Sequence, residues 1–215
     1  MRILVINPNS SEAVTQGIAE ALAPLGDVFD VVRRADGPEM IRTDEDVARA
    51  AQAFATRVAG EQADGYITAC FSDPGLDQAR DVTDVPVIGA QEAAVLEACA
   101  RAERFGIIAL SERAIPRHLK RIEAMGLMDR LVAELPLSDV SAADSGHDAA
   151  VYGQILALAG MLRDQGAGAV VLGCAGMAGL VARLEADLGI PVIDPVAAAG
   201  RLALQRIAAQ KRKDT

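Results

Sequence analysis

The sequence predicts an α/β fold built as two similar lobes that face each other, and three observations carry that prediction. Half of the residues are hydrophobic (51%) but only 3% are aromatic and Trp is absent, so the core is Val, Ile, Leu and Ala, the palette of helices laid on parallel sheets. Short apolar runs alternate with stretches of helical period, the signature of βαβ units. The chain also repeats itself: "GYITACFSDPGLDQARDVTDVPVIG" at 65–89 parallels "GAVVLGCAGMAGLVARLEADLGIPVID" at 168–194, each reading strand, Cys, turn, helix, then a Pro-led strand.

In chain order, strands are expected at "ILVIN" 3–7, "VFDVV" 28–32, "GYITA" 65–69, "PVIG" 86–89, "FGIIAL" 105–110, "RLVAEL" 130–135, "AVVLG" 169–173 and "PVID" 191–194. A helix follows the polar stretch "NPNSSEAVT" at 7–15, and the clearest helical periods lie at 43–63, 90–102, 112–125, 148–166, 176–188 and 196–209. Right-handed crossovers then put helices on both faces of each sheet. Cys70 and Cys174 are 104 residues apart, and the leading strands Ile3–Asn7 and Ile107–Ser111 keep about the same offset. The first lobe is expected over 1–95 with Cys70 and the second over 96–195 with Cys174, the C-terminal helix 196–209 being placed to pack back on the first.

Charge excludes some functions. With 21 basic and 30 acidic residues the net charge is −9, which repels a phosphate backbone, so no nucleic-acid partner is expected. The one basic cluster, "QKRKD" at 210–214, reads as a solvated terminus. No targeting segment and no membrane span is expected: "MRILVIN" is too short an apolar run for a signal peptide, and no stretch of about 18 apolar residues occurs. Three cysteines without short spacings do not form a disulfide framework, which fits a reduced, cytoplasmic protein.

Cys70 and Cys174 are the residues with chemistry. Both stand at the carboxyl end of a strand, where open α/β sheets bind ligands. Asp73 and Pro74 read as the N-cap and first turn of a helix after Cys70, and "AGMAGLVARLEADLG" starts a helix directly after Cys174, ended by Gly189. A helix N-terminus favours thiolate over thiol, so both pKa values are expected below the usual value of about 8.5. A lone cysteine is most often a small buried hydrophobe, the reading given to Cys99 within "QEAAVLEACARA"; two thiols at equivalent ends of a repeated unit instead face one cleft. A zinc site lacks ligands, since His118 and His147 are the only histidines and both read as surface residues. A Cys–His nucleophilic pair is an open alternative. So is a nucleotide site at "GCAGMAG" 173–179 with Asp194 as the ribose ligand, although its second glycine is misplaced for the dinucleotide fingerprint. Asn7, Asn9, Ser10 and Ser11 combine helix capping with a polar anchor at the sheet edge, and Ser111 and Glu112 occupy the parallel edge of the second lobe.

The motifs "INPNSS" 6–11, "TACFSDPGLDQAR" 68–80, "PVIGAQEAA" 86–94, "FGIIALSERAIPRH" 105–118 and "VVLGCAGMAGL" 170–180 together resemble the aspartate/glutamate/hydantoin racemase superfamily, most of all its hydantoin and allantoin racemase branch. The resemblance implies two pseudosymmetric α/β lobes with the active site in the cleft between them. It implies racemisation of a small molecule without a cofactor or metal, with Cys70 and Cys174 as the two bases. It also implies substrate binding by Asn9 and Ser10, with Asn7 beside them, and by the peptide N–H groups of Phe71, Ser72, Ala175 and Gly176, with Ser111 at the second edge. Glutamate racemases carry an Asn-Thr pair after each cysteine that this chain lacks, which favours a hydantoin-like ring over a free amino acid. Ala109, Leu110 and Ser111 replace a threonine-rich stretch of hydantoin racemases and leave the exact ring open. The alternatives are an amino-acid racemase, a maleate isomerase, an arylmalonate decarboxylase, or a binding protein that has kept the cleft without turnover. A homo-oligomer through Ala-rich helices such as 90–102 and 196–209 is expected.

Overall fold

A computed structural model describes residues 1–138, 140–141 and 149–213, and in it eight strands form two four-stranded sheets. The first holds β1 (Ile3–Asn7), β2 (Phe29–Arg33), β3 (Gly65–Thr68) and β4 (Val87–Gly89) in the order β2-β1-β3-β4. The second holds β5 (Phe105–Ala109), β6 (Leu131–Pro136), β7 (Ala169–Gly173) and β8 (Val192–Ile193) in the matching order β6-β5-β7-β8. Every pairing is parallel. The fold is therefore α/β with two lobes of like topology. Ile3 pairs with Gly65 and Phe105 with Ala169, so β1 and β5 correspond at an offset of 102 (Ile3 to Phe105), two less than the spacing of the cysteines. In that register Asn9 corresponds to Ser111.

The helices are α1 (Glu12–Leu22), α2 (Asp44–Gly60), α3 (Leu76–Arg80), α4 (Ala90–Arg101), α5 (Ile115–Ala124), α6 (Ala149–Asp164), α7 (Val181–Leu188) and α8 (Pro195–Lys213). Expected helices 112–125 and 176–188 each begin as a 3₁₀ turn, Glu112–Ala114 and Ala175–Leu180, before the α-helix proper. In the second case the two glycines of "AGMAGL" explain the delay, because glycine is a poor α-former. The expected helix start at 148 lies outside the described residues.

Burial follows the layers. The central strands β1, β3, β5 and β7 are buried at every position, whereas the edge strands β2 and β6 are half-buried. One core cluster joins both sheets, with Ile3, Val5 and Ile67 of the first and Phe105, Ile107 and Val171 of the second meeting Ile18, Val95, Val196 and Ala199 of the helices between. Two outer clusters are private to one sheet each. Phe54, Val58 and Leu76 cover the first, and Ile155, Leu162 and Leu184 the second. Helix α8 lies against α1, α4, β3 and β4. The inner layer fixes the two sheets against each other, so the carboxyl ends of their central strands are held in a constant relation.

Candidate active site

Each cysteine is delivered by a central strand. Cys70 is the second residue after β3, and Cys174 follows β7 directly. Both thiols are partly buried and reduced, and both line one cleft of about 950 Å³ at the carboxyl edges of the two sheets.

The turn after Cys70 is not the helix start that Asp-Pro suggests. Asp73 has φ +43°, in the left-handed region, where an N-cap residue would be extended. Its amide closes a turn onto the Cys70 carbonyl (2.9 Å), and Thr68 Oγ1 donates to the Pro74 carbonyl (3.1 Å). Gly75, at φ +76°, lets the chain pass so close to α2 that a Cβ there would stand 2.5 Å from the Ala51 carbonyl. Only then does α3 begin, five residues long. The Asp73 side chain is spent elsewhere: Oδ1 accepts from Gln91 N and Oδ2 from Glu92 N, both at 2.8 Å, so it caps α4 from eighteen residues away. Burial pushes this carboxyl up to about 7, opposed by those two N–H groups and by Arg121. Asp73→Ala orphans both amides and is expected to cost about 2 kcal/mol, read as a lowered urea midpoint with an unchanged slope; an unaltered midpoint would contradict the capping role.

With no helix terminus beside it, Cys70 does not have the depressed pKa expected from sequence. Withdrawal from water pushes its thiol up to about 12, and negative charge on Cys174 or Asp73 pushes the same way, while the Ser72 N–H and Arg117 pull it down. Cys174 matches the expectation more closely in geometry. It is the N-cap of the 3₁₀ turn Ala175–Leu180, and its Sγ accepts from Gly176 N at 3.4 Å. Each sulfur thus faces the amide two residues on. This corrects the expected use of two donors: in this structure the Ser72 and Gly176 N–H groups are directed at sulfur rather than left for substrate oxygens.

The cleft brings together Asn9, Cys70, Phe71, Ser72, Ser111, Cys174 and Ala175 of the expected set, together with Glu112. Asn7, Ser10 and Gly176 are outside its lining. Asn7 is fully buried and holds Asn9 in place: its Nδ2 donates to Asn9 Oδ1 (3.0 Å) and Thr15 Oγ1 (3.0 Å), while its Oδ1 accepts from Asn9 N (3.2 Å). Ser10 is turned to the β2 side, its N–H on the Pro38 carbonyl (2.9 Å) and its carbonyl receiving Arg33. Ser11 caps α1 through Oγ and Val14 N (3.3 Å). Asp194 is buried as the cap of α8, accepting from Val196 N (2.6 Å) and Ala197 N (2.9 Å), which removes it as a ribose ligand.

His118 corrects the surface reading. It is only 2% exposed, lines the cleft, and meets the Phe71 ring edge-on at 4.9 Å. Its Nδ1 is 2.6 Å from Glu134 Oε1 and its Nε2 is 3.2 Å from Ser72 Oγ. His147 lies outside the described residues. Sequence reading missed Glu134, whose signal was an acid inside the apolar run "RLVAEL", and missed the walls from Met40–Arg42 and from the end of β6 at Pro136 through Ser138, stretches with no motif. Among the described residues no group of three or more His, Cys, Asp or Glu is placed to hold a metal, and no helix is long and apolar enough to cross a membrane.

Comparison with known proteins places this geometry in context. A sequence model of the Asp/Glu/Hydantoin racemase family matches residues 3–203. A hydantoin racemase of Paenarthrobacter aurescens is 37% identical, over 97% of this chain and 92% of its own. An allantoin racemase structure from Klebsiella pneumoniae is 31% identical with a TM-score of 0.88, covering 98% of this chain and 89% of that one. One from Pseudomonas fluorescens is 26% identical with a TM-score of 0.90, covering 98% and 92%.

Proposed function

The chain belongs to the Asp/Glu/hydantoin racemase family and is a racemase, and from that premise we propose that it inverts the stereocentre of a hydantoin-like ring, a 5-substituted hydantoin or allantoin, by proton transfer between Cys70 and Cys174. The observation that supports this reading is that two thiols reach one cleft from equivalent strands of two like sheets. A ring carbon next to a carbonyl is a weak acid. Inverting it needs a base on one face to take the proton, an acid on the other to return one, and donors for the developing oxyanion.

In this mechanism one cysteine, as thiolate, takes the proton from the ring carbon. The electron pair moves onto the carbonyl oxygen as an enolate, and the other cysteine, as thiol, protonates the opposite face. The first cysteine ends as thiol and the second as thiolate, so the opposite enantiomer runs the same steps with roles exchanged. Burial pushes the Cys70 thiol up to about 12, which favours its protonated form and suits it to the acid role before the two exchange. The amides of Ser72 and Gly176 serve the sulfurs, stabilising whichever is charged. The amides of Phe71 and Ala175 hold the substrate oxygens; losing one donor of this type costs about 3 kcal/mol. Asn9 has its Oδ1 engaged by Asn7 and Ser11, so it turns its Nδ2, a donor suited to a carbonyl, to the ring. Ser111, the counterpart of Asn9, faces the other side. The steps require no cofactor.

The test is a panel of single enantiomers of 5-substituted hydantoins, allantoin and free amino acids, followed by optical rotation and mass. Loss of rotation at constant mass for the rings is the expected result. Racemisation of free amino acids alone would move the substrate class. Release of carbon dioxide from an arylmalonate would make the chain a decarboxylase, and tight binding without change a binding protein.

A further inference from the structure

The two halves of the cleft treat their thiols alike in one respect and differently in another. Each sulfur faces the amide two residues on, Ser72 for Cys70 and Gly176 for Cys174. Ser72 also has a hydroxyl, and that hydroxyl is held. Its Oγ is 3.2 Å from His118 Nε2, and His118 Nδ1 is 2.6 Å from Glu134 Oε1. Gly176 has no side chain to hold.

The chain Glu134–His118–Ser72 crosses between the lobes. Ser72 stands on the turn after β3 of the first sheet, whereas His118 is on α5 and Glu134 on β6 of the second. The His118 and Glu134 side chains are 2% and 1% exposed. Glu134 Oε2 is buried with no hydrogen-bond partner among the described residues, so the carboxylate is committed to the histidine alone. The backbone of His118 is fixed as well, its carbonyl accepting from Gln91 Nε2 at 2.8 Å. Phe71 packs edge-on against the imidazole, its ring centroid 4.9 Å away. A buried acid with an unmatched oxygen is costly to keep, and what it secures here is the orientation of one imidazole nitrogen toward one serine.

We infer that Glu134 and His118 are positioning residues for Cys70. By holding the Ser72 hydroxyl they lock the turn whose amide donates to the Cys70 sulfur, and they do so for this thiol and not for Cys174. The inference rests on the two-thiol reading above. The second lobe thereby sets the geometry of the first lobe's thiol, and transfers at Cys70 depend on the chain more than transfers at Cys174.

The experiment isolates each thiol. In the Cys174→Ser background only Cys70 exchanges the substrate's α-hydrogen with deuterated water, and in the Cys70→Ser background only Cys174 does. His118→Asn, which withdraws from Ser72, is expected to slow Cys70-driven exchange at least about tenfold more than Cys174-driven exchange, with the loss in kcat rather than KM. His118→Gln, whose amide reaches the position of Nε2, is expected to recover most of that loss. Ser72→Ala, a conservative change, should impair Cys70-driven exchange similarly, and Ser72→Ala with His118→Asn together should be no worse than the poorer single variant, because both cut one chain. Equal losses at the two thiols, fully multiplying losses in the double variant, or His118→Gln no better than His118→Asn would each overturn the inference. If His118→Asn does not fold, the Ser72→Ala comparison between the two backgrounds decides alone. Failure of the underlying reading is distinguishable, since it would show first as full racemisation by a single-cysteine variant.

Discussion

Cys70→Ser and Cys174→Ser should each abolish racemisation while leaving the fold intact, a loss of about 10²–10⁴-fold or more for removal of an acid–base group. Both side chains are partly exposed to the cleft, and serine is nearly isosteric, so no large cavity opens in the core. A hydroxyl ionises far less readily than a thiol, so it replaces neither the base nor a matched acid. Each variant should nonetheless exchange the α-hydrogen of one enantiomer with deuterated water, because the remaining thiolate can remove that proton and return a deuteron to the same face. The two variants should accept opposite enantiomers. Near-wild-type racemisation by either would leave no place for a two-base mechanism. Exchange of the same enantiomer by both, with the proteins shown to be folded by circular dichroism, would put the thiols on one face.

Alkylation of Cys70 by iodoacetamide should rise tenfold per pH unit from pH 6 to 10 without levelling. The sign follows from the shift: burial and negative neighbours raise the thiol pKa to about 12, so throughout that range the reactive thiolate is a small fraction that grows with pH. An ordinary thiol, with a pKa of about 8.5, would level near pH 9. At pH 8 the thiolate fraction is down roughly three orders of magnitude, while the greater nucleophilicity of a more basic thiolate returns a factor of tens, so Cys70 should react roughly 10–200-fold more slowly than a free thiol. Peptide mapping of the labelled protein measures this residue by residue. A plateau for Cys70 below pH 8 would show that its environment lowers the pKa, as a helix terminus would.

All eight strands could be read from sequence to within about two residues, because the central ones are continuous apolar runs buried in parallel sheets and even the half-buried edge strands β2 and β6 keep mostly apolar runs. The two cysteines were legible for a related reason: both stand where such a run stops. What was not legible depended on contacts distant in sequence. Asp73 looks like a local N-cap, yet a left-handed backbone and Gly75 turn it onto α4, eighteen residues on. The raised pKa of Cys70 comes from burial and then from negative charge on Cys174 and Asp73, none of which a motif encodes. His118 and Glu134 stand on different elements, α5 and β6, and the first lobe's Ser72 completes the chain. Asn7 was expected beside Asn9 in substrate binding; it is fully buried outside the cleft lining and holds Asn9 in place. Local capping chemistry and ligand binding use the same residue types, so sequence alone does not separate them.

The central claim is that a proton leaves one face of the ring and a different one arrives at the other. Wild-type protein given one enantiomer of a 5-substituted hydantoin in deuterated water tests it directly, with chiral separation and mass analysis at early times and subtraction of the exchange seen with heat-denatured protein. The two-thiol account predicts that the newly formed enantiomer carries solvent deuterium while the remaining starting enantiomer keeps its protium. Equal deuterium in both enantiomers from the outset, or a product that retains the original hydrogen, would contradict it.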